Sequence, residues 1–98
     1  MTLQQLRYVI RAADSRSMNE AAKALYISQP SLSGAIKELE KEIGIELFKR
    51  SSHGTVLTPE GEEFLGYARQ VTDQYQLLEN RYIYRTKGKK KFSITVLP

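Results

Sequence analysis

SQPSLSGAIKELEKEIG, residues 28–44, is the stretch from which the rest of the chain is read. Leu32, Ala35, Ile36, Leu39 and Ile43 recur at helical spacing, which turns one face of a helix inward. Ser28 supplies an N-cap oxygen, Pro30 falls in the first turn where its missing N–H costs nothing, and Gly44 ends the helix as a residue able to take positive φ. The outward face carries Gln29, Pro30, Ser33, Gly34, Lys37 and Lys41, and carboxylates appear only later, at Glu38, Glu40 and Glu42. Gln pairs with adenine, Ser with several base edges, and Pro touches a thymine methyl, so a small polar face of this kind suits a DNA major groove. An ordinary amphipathic helix with a solvated face has the same pattern, and the flanking sequence has to decide between the two.

Ninety-eight residues allow one small domain with a modest core. There is no cysteine, which removes disulfides and thiolate metal sites and fits a reducing, cytoplasmic setting. No apolar run approaches a membrane span and no signal-peptide core is present, so no membrane partner is expected. The net charge of +4 depends on Arg85, Lys87, Lys89, Lys90 and Lys91; without them ten basic residues face eleven acidic ones. Composition alone therefore does not establish nucleic-acid binding, and the placement of charge has to.

Residues 1–15 read as a first helix, with Thr2 and Gln5 as a capping box, Leu3, Leu6, Val9, Ile10 and Ala13 as its apolar stripe, and Arg7 and Arg11 on a solvated outer side. Ser17 and Glu20 form a second capping box, opening a short helix with Met18, Ala21, Ala22 and Leu25 inward and an end near Tyr26. Two short helices joined by about three residues, the second with a polar N-terminal face, make a helix-turn-helix. Tyr26 stands where such a turn often uses glycine.

After Gly44, Leu47 and Phe48 are apolar, residues 49–54 are polar and basic, and Thr55, Val56 and Leu57 favour a strand. This predicts a two-stranded wing that buries Phe48 and Leu57 and carries Lys49, Arg50 and His53 at its tip, placed for a DNA backbone or minor-groove contact. His53 is the only histidine, so no metal site is expected. Thr58-Pro59 starts another helix, with Glu60, Glu62 and Glu63 at its positive end, and no breaker follows before Gly88. Roughly 29 residues at ~1.5 Å each give about 44 Å, longer than so small a body can cover. Phe64, Ala68, Val71, Tyr75, Leu78 and Tyr82 form a heptad seam along it, and such a seam calls for a second copy of the same helix. Residues 92–97 alternate as a strand with nothing to pair with, which reads as the front of a further domain beginning near Lys91. No phosphate loop, nucleophile elbow or HExxH is present, and Glu38, Glu40, Glu42 and Glu46 read as exposed charges without partners; no catalytic residue is expected.

Taken together, MTLQQLRYV, AAKALYISQPSLSGAIKELEKEIGIELFKR and LTPEGEEFL closely resemble the N-terminal region of the LysR-type transcriptional regulators, over roughly residues 1–87. The resemblance implies a mainly α fold: a winged helix-turn-helix of three helices and a two-stranded wing over residues 1–58, then a long linker helix over 59–87 that dimerises, antiparallel, with its counterpart. It implies further that residues 88–98 are a hinge and the first strand of an effector-binding domain. By the same resemblance Gln29, Pro30, Ser31 and Ser33 read bases, while Ser28, Lys37, Lys49, Arg50, Ser51, Ser52 and His53 meet backbone or minor groove. Gly34 stands where many members carry a basic or long polar residue. The expected partners are double-stranded DNA and a second copy of the chain, with a tetramer left open for the full-length protein. No cofactor is expected in these residues, and the full-length protein is expected to bind a small-molecule inducer. The rival reading is a winged-helix module that docks proteins; the basic wing and the scarcity of exposed aromatic or aliphatic residues on the polar face count against it.

Overall fold

The computed structural model describes residues 1–84. In chain order these form α1 (Leu3–Asp14), α2 (Met18–Leu25), α3 (Gln29–Ile43), β1 (Phe48–Ser51), β2 (Gly54–Leu57) and α4 (Pro59–Glu79), which runs on into one π-helical turn, Asn80–Tyr84. The expected hinge and strand at 88–98, and the last residues of the expected 59–87 helix, lie outside the described residues.

Each helix starts where a side-chain oxygen can take an orphan N–H. Thr2 and Gln5 make the full reciprocal box on α1, at 3.1 and 2.9 Å. Ser17 accepts from the Glu20 N–H at 3.1 Å, but Glu20 does not return the bond, so the second expected box is half formed. At its other end α2 closes in a Schellman arrangement: the Ile27 N–H donates to the Ala22 carbonyl at 3.0 Å and the Tyr26 N–H to that of Lys23 at 3.1 Å. That geometry puts Tyr26 in the left-handed region, φ 60°, where glycine would sit without strain and any residue with a Cβ costs about 1 kcal/mol.

Val9, Leu32, Leu39 and Leu47 are completely buried, and each contributes about 1.5–3 kcal/mol by leaving water. Ala21 and Ala22 are buried in α2, which packs on both α1 and α3. In α1 the buried small residue is Ala12, with Ala13 only half-buried. Leu47, not Phe48, is the plug between α3 and the wing; Phe48 and Leu57 are half-buried and face each other across the hairpin. The reason lies in the backbone of Leu47. Its N–H donates to Glu40 Oε2 at 2.7 Å, its carbonyl accepts the Thr58 N–H at 3.0 Å, and the Thr58 hydroxyl donates to the neighbouring Glu46 carbonyl. Glu40 also accepts the Phe48 N–H at 3.2 Å, and Glu42 receives the Met1 ammonium at 2.6 Å. Two of the carboxylates expected to lack partners thus have them.

α4 begins against that junction. A Cβ on Gly61 would stand 2.2 Å from the Leu47 carbonyl oxygen, so only glycine lets the first turn of α4 lie there. Phe64 and Leu65 then pack on the core, as the sequence allowed for the first two turns, and Ala68 in the third turn is buried as well. Arg69 forks onto Asp14 of α1 at 2.6 and 3.2 Å. Arg7 lies over the Tyr75 ring at 5.4 Å from its centroid, so the outer side of α1 docks α4 and is not simply solvated. Beyond that α4 outruns the body: the long axis of the molecule is 54 Å against 25 and 19 Å for the others.

Gly61→Ala should therefore destabilise the fold by about 1–3 kcal/mol, whereas Gly66→Ala, with open space around the added carbon, should stabilise it by up to about 1 kcal/mol. Thermal melts of the two variants check this.

Hydrogen bonding from Arg69 holds the Asp14 carboxyl below its ordinary value of 3.8; burial opposes the shift, and the charges of Arg69 and Arg11 add to it. A depressed carboxylate contributes stability that is complete above the unfolded pKa and is lost as pH falls through the folded one. Both groups are half-exposed, so the contribution is at most about 1 kcal/mol. Urea titrations should show wild type exceeding Asp14→Asn by that small margin at neutral pH, with the margin closing below pH 3.8.

Candidate nucleic-acid interface

A groove of roughly 530 Å³ runs between the N-terminus of α2, one flank of α3 and the wing. Ser17, Asn19, Gln29, Ser33, Lys37 and Arg50 are among the residues that line it. Three elements thus converge on the flank of α3 that carries Gln29 and Ser33, two of the four expected reading residues; Pro30 and Ser31 lie off the groove.

The local hydrogen bonds set what each side chain can still do. Ser28 caps α3: its Oγ accepts the Ser31 N–H at 3.2 Å and donates to Ser31 Oγ at 2.9 Å. Its hydroxyl is spent on the cap, and the Ser31 proton is left for an outside acceptor. The Gln29 Nε2 donates to Ser33 Oγ at 2.6 Å, one turn along. An oxygen that accepts from Gln29 keeps its own proton to give, and the Gln29 Oε1 makes no bond among the described residues, so donor and acceptor stand side by side. Pro30 and Gly34 are exposed beside this pair, and Lys37 is exposed one turn beyond Ser33.

The wing departs from expectation in one respect. Lys49 and Arg50 are not at its tip but in β1, paired with Val56 and Thr55, and the tip is the two-residue turn Ser52-His53. Ser51 holds that turn, donating to the Gly54 carbonyl at 3.0 Å and accepting the His53 N–H at 3.1 Å, while Gly54 takes φ 101°. Ser51 is thus a turn residue, and Lys49, Arg50, Ser52 and His53 remain exposed. The wing starts at the Glu40–Leu47 bonds, and from there Lys49 and Arg50 line the same groove as Gln29, Ser33 and Lys37.

Ser17 and Asn19 reach the groove although nothing in their sequence marked them, because their helix is brought there by packing. Glu40 and Gly61, which fix the wing and α4, were also missed; a glycine in the first turn of a helix was the available signal for the second. Of the expected dimer residues, Phe64 packs on its own core and Ala68 is buried there, which leaves Val71, Tyr75, Leu78 and Tyr82 along a second, apolar groove of roughly 860 Å³. Val71, Leu78 and Tyr82 are 49, 56 and 64% exposed. Among the described residues no group of acidic or histidine side chains could hold a metal ion, and no helix is long and apolar enough to cross a membrane.

Residues 3–62 match the bacterial regulatory helix-turn-helix protein family, lysR family. The chain belongs to the LysR family. It is 43% identical over 76 residues to YxjO of Bacillus subtilis, an uncharacterised HTH-type transcriptional regulator, in a match that spans 78% of this chain and 26% of that protein. The chain spans about a quarter of the length of the curated relatives it matches first. Among solved structures it is similar to the BenM DBD in complex with catB site 1 DNA, with TM-score 0.82 and 33% identity, covering 95% of this chain and 100% of that one. It is likewise similar to CbnR, a LysR family transcriptional regulator, with TM-score 0.80 and 35% identity over 88% of this chain and 29% of CbnR. The LysR family is one of transcriptional regulators, not an enzyme class, and the mainly helical winged helix-turn-helix is its DNA-binding fold.

Proposed function

We propose that this chain is the reading and dimerising part of a LysR-family regulator that binds double-stranded DNA by sequence. α3 enters the major groove with Gln29, Pro30, Ser31 and Ser33 against base edges, and Lys37 reaches a phosphate. Lys49, Arg50, Ser52 and His53 meet the backbone and flanking minor groove, with Ser28 and Ser51 holding the cap and the turn that present them. The observation that carries this is the Gln29–Ser33 bond: it presents an acceptor and a donor together at the edge of a groove flanked by Lys37 and Arg50. The DNA complexes of the BenM and CbnR DBDs support the same assignment by likeness of fold.

The long helix that begins at Pro59 serves for dimerisation, with Val71, Tyr75, Leu78 and Tyr82 as the seam and Phe64 and Ala68 at its inner edge. The exposure of that apolar face supports this, since one copy of the chain leaves it in water. Residues 1–58 are the reader, and 88–98 lead into an effector-binding domain that takes a small-molecule inducer. The protein works in the cytoplasm.

Gln29→Ala should cost about 1–3 kcal/mol on a duplex enriched from a random pool by the wild-type chain, and much less on a scrambled duplex. Equal losses on both would show that Gln29 only positions the backbone. For assembly, sedimentation equilibrium should give a dimer at micromolar concentration, and Val71→Asp with Leu78→Asp should yield a monomer, because unpaired charge is costly to bury. A wild-type monomer, or a dimer that survives both substitutions, contradicts the assignment of the seam.

A further inference from the structure

Tyr26 combines strain with full exposure, and no packing among the described residues accounts for either. It is the only non-glycine residue with positive φ among the described residues, at 60°, and it is 94% exposed. The backbone bonds of the Schellman closure need a left-handed residue there, but they do not need a side chain, and glycine satisfies them without strain. At 94% exposure the ring gains nothing by leaving water, so burial does not explain it. A side chain that persists in a strained and unburied position points outward, to something the protein meets.

The position says what that is. Tyr26 stands two residues before Ser28, at the entry to α3, and two residues span at most about 7 Å of chain. A helix whose first turn enters a major groove about 12 Å wide brings the residues just ahead of it beside the phosphates that border that groove. The phenol is a neutral donor of the kind that binds phosphate oxygens, and Lys23, exposed in the last turn of α2, adds charge to the same end of the helix. We infer that Tyr26 is a DNA-backbone contact of the turn, its hydroxyl donating to a phosphate oxygen at the rim of the groove that α3 enters. This rests on duplex binding by α3 and adds a residue to that interface. Tyr26 sets position and affinity and carries no base information.

Two variants separate the contributions. Tyr26→Phe keeps the ring, the charge and the backbone angle and removes only the hydroxyl. Tyr26→Gly relieves the strain and is expected to melt at or above the wild-type temperature, so that weaker binding by it is not unfolding. Binding is measured by fluorescence anisotropy on two probes: the duplex enriched by the wild-type chain from a random pool, and a scrambled duplex of the same length. Both variants are expected to lose about three- to tenfold in affinity, by the same factor on the two probes, the size of one net hydrogen bond. Wild-type affinity in Tyr26→Phe overturns the phosphate contact, and a loss confined to the enriched duplex overturns it as well, because the hydroxyl would then be reading a base. A wild-type chain that enriches no duplex from the pool and does not bind the scrambled one instead refutes duplex binding itself, an outcome distinct from either of these.

Discussion

The peptide groups on either side of the Leu47 side chain hold three elements in one place. The N–H side is taken by Glu40 from the end of α3, the carbonyl by Thr58 at the head of α4, and Gly61 leaves room for that carbonyl against the first turn of α4. The Leu47 side chain is meanwhile buried completely in the core of the helices. A buried amide and carbonyl without partners would each cost about 1–3 kcal/mol, so this arrangement has few alternatives. It fixes where the wing leaves α3, and hence that Lys49 and Arg50 lie beside Gln29 and Ser33. It also fixes where α4 begins. The ion pair of Arg69 with Asp14 and the stacking of Arg7 on Tyr75 then set its direction along α1.

From that frame the two working surfaces face apart in chemistry. The groove between α2, α3 and the wing is polar, edged by Lys37 and Arg50, and within it Gln29 and Ser33 are already bonded to one another. Such pairing reduces the rotamer freedom lost on binding, which favours a small set of side chains as readers. The outer half of α4 is apolar and stands in water in a single copy, which is the condition for pairing rather than reading. A residue such as Tyr26, strained and exposed, belongs to neither packing requirement of the chain itself.

Most of the frame was legible because it rests on local signals. Thr2, Ser17, Ser28 and Thr58 each precede a helix and cap it; Thr2 and Ser17 accept the N–H that their expected boxes name, and Ser28 supplies the expected cap oxygen. The alternation of Leu32, Ile36 and Leu39 fixed the inner face of α3, and by exclusion the outer one. Contacts between residues far apart in sequence were not legible. Glu40 looked like one more exposed carboxylate because its partners are backbone groups seven and eight residues on. Arg7 looked solvated because Tyr75 arrives from another helix. Leu47 and Phe48 are adjacent apolar residues on opposite sides of a strand start, and hydropathy cannot rank them; the backbone bonds of Leu47 do. Ser28 and Ser51 could be named as polar residues near the interface, but not that their hydroxyls were already committed to a cap and a turn.

In the proposed function α3 and the wing hold duplex DNA through phosphate contacts while α3 discriminates sequence. This is tested most directly by the affinity of the intact chain for an enriched and a scrambled duplex, measured across a series of salt concentrations. Log K should fall linearly with log salt on both duplexes, with a slope of about −0.9 per phosphate neutralised, and the enriched duplex should bind more tightly, by about 10³-fold or more at physiological salt. Binding that is insensitive to salt, or equal on the two duplexes, would contradict it.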